Sequence, residues 1–188
     1  MNWGLTNNKT LFKICSLFLL ADGQWKQEEI DFLNIIANEL EIGNSSKQDI
    51  MSYCRELKIT KGDYSSKIIK EIDCELNNQI ISSFEYNPHL QTKTIWTLIN
   101  LGYADQEYSE SEKKVIQHLI KKWKVNPIII SELTDTAETI LMLTKKAEWL
   151  KTIGLSYDDT TKQLKRVEQQ IQLMFENIDA TISEADTI

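Results

Sequence analysis

The sequence predicts an all-α protein, a bundle of about seven to eight helices built on two pseudo-repeated helical hairpins. Three observations support this prediction. The 188 residues include only 6 Gly and 2 Pro, so few positions would break a helix. Apolar residues recur at helical spacing along most of the chain. One stretch of sequence occurs twice, and a repeated unit constrains the whole fold.

The repeated stretch begins with Ala-Asp in both copies, and 83 positions separate Asp22 from Asp105. In each copy an apolar helix is followed by a short loop with one aromatic residue, and then by an amphipathic helix that opens with acids. Trp25 in the first loop corresponds to Tyr108 in the second. Both rings are expected to fold back over their hairpins, because large rings tend to be buried.

The first half of the chain has the pattern of four helices. An apolar run predicts a helix over residues 8–21, and an amphipathic pattern predicts a second over residues 27–41. Gly43 fits the C-terminal cap of this second helix. The segment Ser46–Asp49 resembles a capping box that starts a third helix. A fourth helix is expected to carry its apolar stripe as far as Phe84.

The second half begins its helices with clear cap signals. Asn87–Pro88 and Asn126–Pro127 each place a capping asparagine before a proline at the first helical position. Between them, Ser109–Glu112 forms a capping box for a helix that ends near Lys124. Ser156–Asp159 caps the last helix, whose apolar positions follow the spacing of a short heptad seam: Leu164, Val167, Ile171, Met174 and Ile178.

The composition excludes several classes of function. A net charge of −7 argues against nucleic-acid binding and against docking by charge on an anionic membrane. No apolar run is long enough to predict a transmembrane segment. Cys15, Cys54 and Cys74 are widely spaced and form no CxxC, which is typical of reduced thiols in a cytoplasmic protein. No catalytic triad, phosphate-binding loop or ExxH pair occurs, so the sequence predicts no enzyme.

The acids of the two repeats are the candidate functional residues. Each loop has an Asp at the end of one helix and a Glu in the first turn of the next, and the pseudo-symmetry of the hairpins could bring the two pairs together. Four converging carboxylates repel one another unless a cation or protons intervene, and hard oxygen ligands suit Ca²⁺, Mg²⁺ or Mn²⁺. The candidate metal ligands are Asp22, Glu29, Asp105 and Glu112, with Glu28 and Glu107 as additional candidates.

A purely structural interpretation of the same acids remains open, because caps and turns account for many acids at helix ends. Glu112 closes a capping box with Ser109, and an Asp at the position of Asp22 can accept hydrogen bonds from loop N–H groups. One detail favours function. Lys26 occupies the capping position of the first motif, so Glu29 is expected to lack a capping-box partner.

The two matching segments are LLADGQWKQEEIDFLNIIANELEI and LGYADQEYSESEKKVIQHLIKKWKV. This repeated Ala-Asp-x-x-aromatic element with a following Glu resembles the TerB family, the tellurite-resistance-associated helical domain, over roughly residues 9–130. The resemblance implies an all-α bundle of two pseudo-repeated hairpins whose acidic loops bind a divalent metal. It also implies a role in tellurite resistance, stress response or membrane-associated complexes rather than in catalysis.

Together these observations predict a TerB-like helical domain over residues 1–130 and a C-terminal helical extension over residues 131–188. The extension is expected either to pack on the domain or to serve association. The predicted function is a non-enzymatic, divalent-metal-binding module of a stress or tellurite-resistance-type system. The alternative is an interaction module without metal that binds a protein partner, or a second copy, through residues 156–180. The predicted location is the cytoplasm, or the inner face of a membrane if a partner attaches it there.

Overall fold

The computed structural model describes residues 5–57, 64–78, 87–154 and 156–184. Within these ranges the chain is all-helical and contains no strand, which confirms the predicted fold class. In chain order the helices are α1 (Leu5–Phe18), α2 (Gln27–Glu39), α3 (Asn44–Glu56), α4 (Tyr64–Asn78), α5 (Pro88–Gly102), α6 (Glu110–Trp123), α7 (Pro127–Thr152) and α8 (Tyr157–Glu184).

The chain divides into two compact units, Met1–Val125 and Asn126–Ile188. The sequence placed this boundary after residue 130, which lies inside α7. The structural boundary instead coincides with the capping asparagine that starts α7, where a new helix begins. Among the described residues, no helix combines the length and the apolar composition needed to cross a membrane.

Helix α1 forms the centre of the N-terminal unit and contacts α2, α3, α4 and α5. Its apolar character on nearly every side is typical of a buried helix, and Phe12, Ile14 and Phe18 are fully buried. Helix α5, the counterpart of α1 in the second repeat, contributes Ile95 and Leu98 to the same core. Full burial of one such side chain is worth about 1.5–3 kcal/mol. The repeats share this core, because α5 contacts both helices of the first hairpin.

Helix α4 connects the two hairpins through charged side chains. Lys13 of α1 pairs with Glu75 at 2.6 Å between Nζ and Oε2. Two residues earlier in α4, Asp73 accepts a hydrogen bond from Lys122 of α6 at 2.9 Å and lies 3.0 Å from Nε2 of His118. Burial raises the pKa of Asp73, but the bonds from Lys122 and His118 outweigh it and leave the pKa below its ordinary value.

Four predicted caps are confirmed. Asn87 accepts a hydrogen bond from the backbone N–H of Leu90 at 2.8 Å, and Asn126 accepts one from Ile128 at 2.9 Å. The other two, Ser109 and Ser156, each accept from the backbone N–H three residues later. The predicted end of the fourth helix at Phe84 lies outside the described residues.

The predicted caps around α2 and α3 are wrong. Gly43 does not end α2; it is the N-cap of α3, which begins two residues before Ser46. The left-handed residue that ends α2 is Glu41, with φ of 54°. Ile42 N–H bonds to the carbonyl of Ala37, which closes a Schellman turn one residue beyond the helix. A glutamate carries no sequence signal for this conformation, whereas a nearby glycine does.

The same left-handed turn shapes both repeat loops. Gly23 has φ of +84° and its counterpart Gln106 has φ of +69°, and each donates its N–H to the carbonyl three residues earlier. A Cβ atom on Gly23 would lie 2.6 Å from the ring of Tyr64, closer than real carbon atoms approach. The first loop therefore needs glycine for two reasons, while the second accommodates glutamine in the same conformation.

We expect Gly23→Ala to lower the free energy of unfolding by about 2 kcal/mol, because left-handed backbone costs a residue with a Cβ roughly 1–2 kcal/mol and the ring of Tyr64 must also move. Chemical denaturation measures this change. Gln106→Gly is the matched variant in the second loop and is expected to leave stability unchanged or to raise it. A loss of stability in Gln106→Gly equal to that in Gly23→Ala would contradict the assignment.

The C-terminal unit consists of α7 and α8, which pack along each other. The hydroxyl of Thr181, near the end of α8, donates to Glu132 near the start of α7, so the two helices run antiparallel. Of the predicted heptad seam, Val167 and Ile178 are buried and the other three positions are half-buried. The apolar side chains buried in this unit are Ile129, Leu133, Ala137, Leu150, Val167, Ile178 and Ile182.

Candidate functional site

The two repeat loops use the same backbone hydrogen bonds. Asp22 accepts from the N–H of Gln24, and Asp105 accepts from the N–H of Glu107, both at 2.9 Å. In each case a carboxylate oxygen bonds to the backbone two residues later, which is the usual turn formed by an aspartate. The repeat seen in the sequence is therefore also a repeat of local structure, and one oxygen of each Asp is committed to its own loop.

Glu29 and Glu112 occupy equivalent positions in the first turn of α2 and α6. Glu112 forms the predicted capping box, with its carboxylate 2.7 Å from the N–H of Ser109 and its own N–H bonded to the Ser109 hydroxyl. Glu29 makes the first of these bonds too, to the N–H of Lys26 at 2.9 Å. The prediction that Glu29 lacks a partner is thus half wrong. A lysine ammonium has no lone pair, so it cannot supply the reciprocal bond.

The two loops meet at Lys26. Its ammonium group crosses from the first repeat to the second, where it forms an ion pair with Asp105 and lies 2.9 Å from a carboxylate oxygen of Glu107. The side chain of Asp105 is only 3% exposed, while that of Glu107 is 78% exposed. The hydrogen bond to Asp105, followed by that to Glu107, raises the pKa of Lys26 above its ordinary value. Lys26 is therefore a fixed positive charge where the two loops meet.

Glu29 and Glu112 are the buried carboxyls of the two repeats. Both are 2% exposed. Burial raises the pKa of Glu29 to about 7, although the N–H of Lys26 opposes the shift, and the negative charge of Glu112 adds to it. Burial likewise raises the pKa of Glu112 to about 7, with further contributions from the charges of Asp22 and Asp105. Negative charges of both repeats thus contribute to the raised pKa of these two carboxyls.

We call the region where the two repeat loops meet the acidic junction and define it by the four principal candidate residues, whose charges act on the pKa of its two buried glutamates: Asp22, Glu29, Asp105 and Glu112. Of the two additional candidates, Glu107 reaches the junction through Lys26, whereas Glu28 is exposed on the surface of α2. The sequence missed Lys26 as a member. The alignment of Lys26 with Ser109 in the two repeats could have identified it, because a lysine in place of a capping serine puts a positive charge among the acids.

The donor set of the acidic junction has the chemistry of a hard-cation site, since carboxylate oxygens are the ligands that Ca²⁺, Mg²⁺ and Mn²⁺ prefer. Among the described residues, no group of three or more His, Cys, Asp or Glu side chains is arranged to hold a metal ion. The ammonium of Lys26 instead supplies positive charge at Asp105. A metal ion would therefore have to exchange with this ammonium and with the protons of the glutamates.

The aromatic residues of the loops pack beside the junction. Tyr108 lies against Gly102, where a Cβ atom would be 2.8 Å from its ring, and its ring centroid is 4.9 Å from that of Tyr103. Trp25 is half-buried, with the guanidinium of Arg55 5.1 Å from its ring centroid. Both rings cover their hairpins, as large apolar surfaces are expected to do.

Comparisons with protein-family models, with curated proteins and with solved structures give no significant match to this chain. The resemblance to the TerB family therefore rests on the repeated motif alone.

Proposed function

We propose that the N-terminal unit is a non-enzymatic, TerB-like module whose acidic junction binds a divalent cation in a stress or tellurite-resistance-type system. One observation carries the proposal: carboxyls from both repeats converge, and two of them are almost fully buried with a raised pKa. Such a cluster binds protons and cations competitively, because either one relieves the mutual repulsion. Cytoplasmic location, or attachment to the inner face of a membrane through a partner, is part of the same proposal.

Binding would proceed by exchange. At pH 6 the glutamates hold their protons and Lys26 pairs with Asp105, so a divalent cation competes with both. At pH 8 the glutamates are ionised, and only Lys26 competes. We therefore expect cation affinity to rise between pH 6 and pH 8, and to rise further when Lys26 is replaced by an uncharged side chain.

The test is the melting temperature with and without millimolar Ca²⁺, Mg²⁺ or Mn²⁺. A ligand at ten times its Kd stabilises the folded state by about 1.4 kcal/mol, which is a shift of several degrees. We expect such a shift for the wild type at pH 8, a larger one for Lys26→Met, and none for Asp22→Asn/Asp105→Asn. Glu110→Gln is the control, because Glu110 is an exposed acid in the first turn of α6. This variant should respond to the cations as the wild type does.

No shift in either the wild type or Lys26→Met would contradict cation binding. The acidic junction would then be a structural ion cluster, with Lys26 as its permanent counter-ion.

A second function, an interaction module, is favoured by the surface of the C-terminal unit. Large apolar side chains are exposed there on both helices, with Ile128 at 75%, Met142 at 71% and Trp149 at 57% on α7. Helix α8 exposes Tyr157, Leu173 and Phe175 within the segment 156–180. Exposed apolar groups of this size on so small a unit are typical of surfaces that bind other proteins. Deletion of residues 156–188 removes the α8 part of this surface, so an association through residues 156–180 would be lost and light scattering would give the monomeric mass.

A further inference from the structure

One side of α7 carries a symmetric pattern of charges and apolar groups. We call it the outer face of α7 and define it by Asp135, Glu138, Met142, Lys146 and Trp149, all of which are exposed. Asp135, Met142 and Trp149 are separated by seven residues, which is about two helical turns. Glu138 and Lys146 are each four residues from Met142, which is about one turn. The five side chains therefore lie along one stripe, on the side of the helix opposite the buried Leu133 and Ala137.

The stripe reverses its charge at Met142. Glu138 lies four residues before Met142, and Lys146 lies four residues after it. Asp135 extends the acidic side, and Lys145, next to Lys146, is a second exposed base on the basic side. With a rise of 1.5 Å per residue, Glu138 and Lys146 are each about 6 Å from Met142 along the helix axis. A surface with this pattern complements a second copy of itself that is rotated by 180° about an axis perpendicular to the helix.

We propose that the outer face of α7 binds a second copy of the chain, with the two α7 helices antiparallel and a two-fold axis at Met142. A two-fold contact joins the same patch on both copies, so the patch must complement itself. The antiparallel arrangement places Glu138 of each copy opposite Lys146 of the other and brings the two Met142 side chains together. A parallel arrangement would place acids against acids and bases against bases.

The apolar part of the stripe supplies the rest of the contact. Met142 is a flexible, unbranched side chain that packs readily against its own copy at a two-fold axis. Trp149, seven residues from the centre, would lie over Asp135 of the other copy at each end of the contact, and tryptophan is among the residues that contribute most to interfaces. A dimer would also cover the exposed Met142 and Trp149 side chains of both copies.

The test is the dissociation constant of the full chain, measured by sedimentation equilibrium. Reversing the acids (Asp135→Lys/Glu138→Lys) or the bases (Lys145→Glu/Lys146→Glu) turns the facing pairs into like charges, and each change should weaken the dimer on the order of tenfold or more. The variant with all four substitutions restores opposite charges and should recover wild-type affinity. An equimolar mixture of the two reversed variants should form a heterodimer for the same reason.

This design separates association from misfolding, because a folding defect in either variant would not be repaired by mixing or by combining the changes. Trp149→Ala should weaken the dimer, while Ile35→Ala, which removes an exposed apolar side chain of the N-terminal unit, should not. Added salt should weaken the wild-type dimer through screening. A wild type that is monomeric at all concentrations would overturn the proposal. A dimer that added salt strengthens would also overturn it, as would failure of the variant with all four substitutions to recover the wild-type affinity.

Discussion

Lys26→Met is expected to lower the free energy of unfolding by about 2 kcal/mol near neutral pH, because it leaves the buried carboxylate of Asp105 without its positive partner. Asp105 keeps its hydrogen bond from Glu107 N–H, but that bond alone does not offset the lost charge. Methionine has a similar length and keeps the backbone N–H that caps α2 through Glu29. The effect therefore reports the charge and not the shape of the side chain. Urea denaturation at pH 7 measures it.

Two comparisons make this prediction specific. Lys113→Met removes a partly exposed lysine that pairs with the exposed Glu110, and solvent-exposed pairs contribute about 0–1 kcal/mol, so stability should change little. Lys26→Met/Asp105→Asn removes both charges at the junction and should be more stable than Lys26→Met alone. A double variant that is less stable, by the sum of the two single effects, would show that the two side chains do not interact.

Stability is expected to fall as pH rises from about 4.5 to above 7. Glu29 and Glu112 have a pKa of about 7 when folded, against an ordinary value of 4.5, so the folded state binds more protons in this interval. Their favourable contribution is complete below pH 4.5 and is lost as pH passes 7. The two sites interact and do not add simply, and we expect a combined change of about 2–4 kcal/mol.

Glu29→Gln/Glu112→Gln removes this dependence. Glutamine keeps the shape and the oxygen that accepts the capping N–H, but it carries no charge to bury, so the variant should exceed the wild type in stability at pH 8 and not at pH 5. Glu110→Gln is the control. Pairing with Lys113 lowers the pKa of Glu110, which places its titration below the interval. Parallel pH profiles for the wild type and the double variant would contradict burial of ionisable carboxyls at the junction.

The fold and the membership of the site follow from different kinds of sequence signal. The repeat at a constant offset predicts that equivalent residues occupy equivalent positions, and the matched bonds of Asp22 and Asp105 show the consequence. Asparagine before proline marks the starts of α5 and α7 correctly, because both residues act through local backbone geometry. The left-handed turn at Glu41 has no such local signal, because glutamate does not favour a positive φ.

The role of Lys26 depends on long-range structure. Within its own loop it is only a poor capping residue, and its partners lie about 80 positions further along the chain, as the separations to Asp105 and Glu107 show. The raised pKa of the glutamates also requires knowledge of burial, since the same acids on a solvated helix end would titrate near their ordinary values. The sequence identifies the carboxyls, but only the packing of the two hairpins shows that the ammonium of Lys26 pairs with Asp105.

The central claim is that carboxyls of both repeats form one buried, coupled cluster. An NMR titration of the side-chain carboxyl carbons of Glu29 and Glu112 tests it directly, with and without Ca²⁺. We predict midpoints near pH 7, a lower midpoint for Glu29 in Glu112→Gln, and a further decrease when Ca²⁺ binds. Midpoints near pH 4.5 that do not respond to the neighbouring substitution would contradict the account.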